Sequence, residues 1–258
     1  MSLIPISASA ISVYDLLIKP VLVVYDANDS AYNEYIRYAV ENYWVVNTYE
    51  FISPQEFESA KKNTENIFLI KAENQTAKDQ STAVYEDVIQ LVYFVKGGKL
   101  VTHVAGSPLI NGNIDLRNSV INSLRMLQDK LQFIAFKEKT SNFTNYSKKV
   151  DSRTSIIKVK KLYIATEDID SDLTLNEILS LYKGEIFLVS RDELNKLIDS
   201  KADDILYAIV FNRKTSNVSY INTKQIISAD NGEVIYLDET TTIHPKGFNK
   251  RDLKNLAE

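Results

Sequence analysis

At 258 residues, with 45% hydrophobic and 25% charged residues, the chain has the make-up of one large or two small folded domains, which excludes wholesale disorder. Its 30 basic and 34 acidic residues leave a net charge of −4, no general field for a polyanion, so nucleic acid is excluded as the expected partner. Without cysteine, and with His103 and His244 as its two histidines, it excludes thiol catalysis, disulfides, cysteine–zinc sites and three-histidine metal sites.

Residues 1–19 read as a leader segment ahead of the first strand. Met1 to Ala10 lacks the basic start of an intact signal peptide, and Met1-Ser2-Leu3 resembles a vector-derived start. The compartment stays open at this level, between the bacterial cytoplasm and, if a native leader was trimmed, the periplasm or the outside. Abundant Asn, Lys, Ile and Tyr with scarce Gly and Pro resemble the bias of low-GC bacteria. No apolar run is long enough to span a bilayer.

Pro20 to Tyr25 (PVLVVY) is a continuous β-branched run of the kind buried on both faces, and predicts a central parallel strand. The turn and cap cluster Asp26-Ala27-Asn28-Asp29-Ser30 ends it. Tyr32, Ile36, Ala39, Val40 and Tyr43 then share one helical face, with Tyr38 roughly opposite as an exposed aromatic suited to an interface. Trp44 to Ile52 reads as a second strand. Ser53-Pro54-Gln55-Glu56 has capping-box spacing with proline at the first helical position, opening a short helix to about Lys62. Asn66 to Lys71 is a third strand, Glu73 to Glu86 a polar surface loop, and Ile89 to Val95 with Lys99 to Val104 a hairpin about Lys96-Gly97-Gly98. Asp115 to Leu131 is the longest helix, its apolar face set by Leu116, Val120, Leu124, Leu127 and Leu131.

Between 137 and 158 the chain is rich in Lys, Ser, Thr and Asn and has no apolar period, which reads as a polar, solvated linker between a first unit at 1–136 and a second at 159–258. Its basic excess could dock an anionic surface, but a tether is the expectation.

The same order then returns. Lys161 to Ala165 is a strand ended by Glu167-Asp168-Ile169-Asp170-Ser171-Asp172, and Thr174-Leu175-Asn176-Glu177 is a capping box opening a helix. Glu185 to Val189 is a strand, and Ser190-Arg191-Asp192-Glu193 a further capping box with a helix to Ser200. Ile205 to Phe211, Val218 to Ala229 and Glu233 to Leu237 are strands, the last two joined at Asp230-Asn231-Gly232. Asn249 to Ala257 closes as a helix. Phe51-Ile52-Ser53-x-x-Glu56 aligns with Leu188-Val189-Ser190-x-x-Glu193, which makes an internal duplication the expectation.

The fold class is thus α/β, with two similar units in tandem. Each is a three-layer mixed sheet built as β-α-β-α-β, then a β-hairpin and a terminal helix. The first unit loosely resembles the thioredoxin-like order, with a helix after a final hairpin. That family's Cys-x-x-Cys is absent, so the resemblance carries no redox chemistry.

Ligands of open α/β sheets bind beyond the carboxyl ends of parallel strands. Those ends hold Asp26 and Asp29 in the first unit and Glu167, Asp168, Asp170 and Asp172 in the second, carboxylates that could ligate Ca²⁺ or Mg²⁺ or act as acid and base. Residues 168, 170 and 172 match the start of a calcium loop, but Leu173 and Leu179 stand where its glycine and glutamate belong. The expected role of these acids is to cap helix N-termini. Ser107 lacks the glycine two places on that a nucleophile elbow needs, and no glycine loop cradles a phosphate.

Two functions stay open at this level. The favoured one is a non-catalytic binding or assembly module with no cofactor, its two units presenting a shared surface to a protein partner, a second copy of the chain included. The alternative is an enzyme, small-ligand binder or divalent-metal binder acting through the acidic strand ends. The caps carry a direct test: Ser53→Ala and Ser190→Ala are each expected to cost about 1 kcal/mol in urea denaturation, as paired helix starts require.

Overall fold

The computed structural model describes residues 11, 15–75, 85–110, 114–137, 146, 148, 150–216 and 218–257. Its first unit runs α1 (Asp15–Ile18), β1 (Val21–Val24), α2 (Ser30–Tyr43), β2 (Tyr49–Ile52), α3 (Pro54–Ala60), β3 (Ile67–Gln75), β4 (Tyr85–Val95), β5 (Leu100–Pro108) and α4 (Leu116–Lys137). The second, after a 3-10 turn at Thr154–Lys158, runs β6 (Lys161–Ala165), α5 (Leu175–Leu181), β7 (Ile186–Val189), α6 (Arg191–Ile198), β8 (Ile205–Ser216), β9 (Ser219–Ser228), β10 (Val234–Thr242) and α7 (Lys250–Ala257).

Each unit forms a five-stranded mixed sheet, and the two share one plan. The orders are β2-β1-β3-β4-β5 and, read from the opposite edge, β7-β6-β8-β9-β10. In both, the first strand lies parallel to its two neighbours and the last two strands run antiparallel. Both serine caps form as the spacing predicts: Ser53 accepts from Glu56 N–H while Glu56 accepts from Ser53, and Ser190 and Glu193 repeat the exchange. Thr174 and Glu177 make the third box.

Several elements differ in extent from the sequence pattern. The strand expected from Trp44 begins only at Tyr49, because Trp44 ends α2 and its indole N–H donates to Asn47 at 2.9 Å. The Asn47 amide in turn donates to the carbonyls of Leu16 and Lys19, which holds 44–48 in a bend. Glu73 to Gln75, Tyr85 and Glu86, expected in a loop, are strand, since β3 and β4 pair residue by residue from Ile67–Tyr93 to Gln75–Tyr85; the rest of that loop lies outside the described residues. β8 and β10 likewise outrun their apolar stretches as partners of β9. α4 continues to Lys137, past the expected end at Leu131.

Within 137–158, the described residues Tyr146, Val150 and Ile157 are buried, against the expectation of a solvated tether. Arg153 forms an ion pair with the buried Asp129 at 2.8 Å and also donates to Val234 O.

The layers alternate. The outer face of the first sheet packs Phe57 and Ala60 of α3 over Val24, Ile52, Phe68 and Val92. Its inner face joins α2, α4, α6 and the facing side of the second sheet in one core, from Val21, Ile36 and Leu124 to Leu194, Tyr207 and Ile227. Phe248, Tyr182 and Leu256 close the far side of the second sheet.

α4 is therefore covered on two sides. Its apolar stripe faces the first sheet as expected. Its other stripe, Asn118, Asn122, Arg125 and Asp129, is polar and is buried as well. Asn122 accepts from Tyr207 Oη at 2.6 Å, and Met126 Sδ accepts from Gln225. Arg125, 2% exposed, donates to the carbonyls of Ile198, Ser228 and Ala229 in the second unit. Gly232, in the predicted hairpin turn at φ +75°, lies so close that a Cβ there would overlap the Arg125 side chain. Because the three carbonyls face a fork of donors, Arg125→Met is expected to cost roughly 3 kcal/mol in denaturant unfolding, and Arg125→Lys to restore only part of it.

Candidate functional site

The acidic strand ends are where the sequence places them, and Asp26, Asp29, Asp168 and Asp170 are engaged within the fold. At the end of β1, Asp29 accepts from Tyr32 N–H and caps α2, and Asp26 accepts from Asn28 N–H. Lys71 on β3, which the pattern did not single out, lies among them: its Nζ is 2.8 Å from Asp29, 3.7 Å from Asp26 and 3.6 Å from Asp87, and rests over the Tyr32 ring. The Lys71 bond, followed by the Tyr32 amide, holds the Asp29 carboxyl below its usual range. Burial alone would lower the Lys71 amine; the three carboxylates outweigh it and raise the net value.

In the second unit the carboxylates diverge. Asp168, 1% exposed, turns inward to Arg191 at 2.6 Å, and burial raises its carboxyl against the pull of that guanidinium. Asp170 accepts from Gly247 N–H at 2.7 Å, while the Asp168 carbonyl accepts from Phe248 N–H. These bonds fasten the loop before α7 to the strand end. Gly247 is required there, since an added Cβ would overlap the Asp168 carbonyl. Glu167 and Asp172 are exposed. Among the described residues, no group of three or more His, Cys, Asp or Glu is placed to hold a metal ion, and no helix is long and apolar enough to cross a membrane. His103 is exposed on β5, and Ser107 is buried.

A further cluster of side chains lies where the units meet. Asp199, just after α6, accepts from Tyr43 Oη, from Tyr38 Oη at 2.9 Å and from Arg117 Nη2 at 2.5 Å. Tyr38, expected to be exposed, is half-buried in this contact. The Arg117 guanidinium stacks over the Tyr38 ring, 4.3 Å from its centroid. Burial would raise the Asp199 carboxyl; the two phenols and the guanidinium hold it below the ordinary value instead.

Beside this cluster, the first turns of α4 and the exposed side of α6 enclose an open groove of about 520 Å³, lined by Asp115, Arg117, Asn118, Asp192, Asn195 and Lys196 together with Asp199. Asp115 caps α4 through Asn118 N–H at 2.8 Å. Asn118 Oδ1 and Asn195 Oδ1 are buried and accept no hydrogen bond. A buried acceptor left unpaired costs about 1–3 kcal/mol, and both residues line the groove. The groove was not legible in sequence, since its halves lie some eighty residues apart on helices whose exposed faces look ordinary. The one available signal was the run of asparagine and serine along α4, where a solvated helix more often carries lysine and glutamate.

Comparisons with protein families, with curated proteins and with solved structures find no match.

The Lys71 cluster generates a pH test. Asp29, held low, adds stability above the ordinary carboxyl value of 3.8 and loses it as pH falls through the lower folded value. Lys71, held high, adds stability below 10.5 and loses it as pH rises through the higher folded value. Lys71→Met is therefore expected to lower stability by roughly 1 kcal/mol at pH 7, with the gap to the parent closing toward pH 2 in thermal melts.

Proposed function

We propose that the chain is a non-catalytic binding module whose groove between α4 and α6 receives a polar segment of a protein partner. The observation that carries this reading is the pair of unsatisfied amide oxygens, Asn118 Oδ1 and Asn195 Oδ1, in a groove that both units build. Carboxylates of Asp115 and Asp192 and the cations of Arg117 and Lys196 give its lining both signs of charge, which suits a peptide's mixed donors and acceptors better than an apolar ligand. The strand-end acids support the reading indirectly. Asp29 is matched by Lys71, Asp168 by Arg191 through one of its two oxygens, and Asp170 by a backbone N–H, so each of the three is engaged in folding contacts.

The groove depends on the docking of the units, so partner binding and the contacts of Arg125 and Asp199 are coupled. A photo-cross-linking residue at Asp192, on the exposed rim, is expected to trap one discrete protein in extracts of the cells that make this chain. The same residue at Val159, 81% exposed and in the second unit's entry turn, is the control. Asn195→Leu is expected to abolish the cross-link from position 192 with the fold intact by circular dichroism. Equal trapping from both positions, or trapping that survives Asn195→Leu, contradicts the assignment.

A further inference from the structure

A second cavity lies away from the groove, between β5 and the far half of α4. Val104, Ala105, Gly106, Phe133, Ile134 and Tyr146 line about 170 Å³ around one amine, Lys130 Nζ. That amine donates to the Gly106 carbonyl at 2.9 Å and lies 6.0 Å from the centre of the Tyr146 ring. No carboxylate among the described residues is within ion-pair distance of it. Asp129, its neighbour on α4, is turned away to Arg153 and Tyr146, and Glu239 on β10 acts only at longer range. Tyr146 keeps its proton, because burial and its bond to Asp129 push the phenol up. Part of the Lys130 side chain still reaches the surface, so the amine is sheltered without being sealed.

We propose that Lys130 is a carbonyl-capturing lysine, its Nζ forming a Schiff base with a small apolar aldehyde or ketone held in this pocket. The lone pair of the neutral amine adds to the carbonyl carbon, and the C=O π pair moves to oxygen. A proton passes from nitrogen to that oxygen, giving a carbinolamine. Loss of the hydroxyl with the second amine proton releases one water and leaves the C=N bond. No oxidant or reductant takes part.

Two features make this amine suited to the step. The side chains of Val104, Ala105, Phe133 and Ile134 around the amine disfavour a charged carbonyl compound and stabilise the neutral amine over the ammonium. Burial accordingly pushes the Lys130 amine down to about 8, against weaker upward pulls from Glu239 and Asp129. The free base is then a substantial fraction near neutral pH, whereas an ordinary lysine near 10.5 holds only about one part in a thousand.

The test is trapping with propionaldehyde and cyanoborohydride, the alkylated lysines being mapped by peptide mass spectrometry across pH 6 to 10. Lys130 is expected to be labelled at least tenfold faster than exposed Lys99 or Lys158 at pH 7.5, with a midpoint near pH 8. Glyoxylate, a charged aldehyde, is expected to lose that preference. Lys130→Met removes the site and fits the apolar lining, so its melting curve is expected to match or exceed the parent's. Labelling of Lys130 no faster than of Lys99, or a midpoint near that of exposed lysines, overturns the proposal. Equal preference for propionaldehyde and glyoxylate overturns the apolar substrate class.

Discussion

The arrangement depends on one helix that has no solvent face along most of its length. α4 turns leucines and valine toward the first sheet and a stripe of asparagine, arginine and aspartate toward the second unit. A polar stripe in a core is costly unless every group finds a partner. Here the partners lie outside the helix: a phenol for Asn122 and three carbonyls for Arg125 from the second unit, and for Asp129 the guanidinium of Arg153 in the stretch before it. Apolar burial alone would let the two sheets slide over the helix. Directional bonds to fixed carbonyls set one register, and the groove beside Asn118, lined from both units, inherits its geometry from it.

Much of the plan was legible from local chemistry. The buried run of Val21 to Val24, the capping boxes at Ser53, Thr174 and Ser190, and the glycine turns at 97–98 and 232 each act over a few residues, so the pattern reveals them directly. Strand lengths were less so, because β3, β8 and β10 extend on polar residues whose only reason to be strand is the neighbour they pair with. Trp44 misled for a related reason: its bulk reads as strand, while the side chain of Asn47 decides the bend.

The sites divide in the same way. Asp26, Asp29, Asp168 and Asp170 were found because acids at strand ends stand out in a sequence. What could not be read was their partners, Lys71, Arg191 and the Gly247 amide, which lie on other elements and tie the strand ends into the fold. Conversely, Asn195, Asp199 and Lys130 look like ordinary surface positions. Their character comes from what the other unit, or an apolar wall, places around them.

The alternation of layers has a geometric consequence. The first unit meets the second with its two-helix side, α2 and α4, whereas the second meets the first with the side that carries the single helix α6. The contact is thus between unlike faces of two like bodies. A two-fold pair would be closed, with the same patch spent twice. This pair is polar, like two bricks laid in one direction, and its ends differ: α3 caps one, α5 and α7 the other. Two units alike in plan consequently cannot trade places, since only the first has a terminal helix long enough to lie between two sheets.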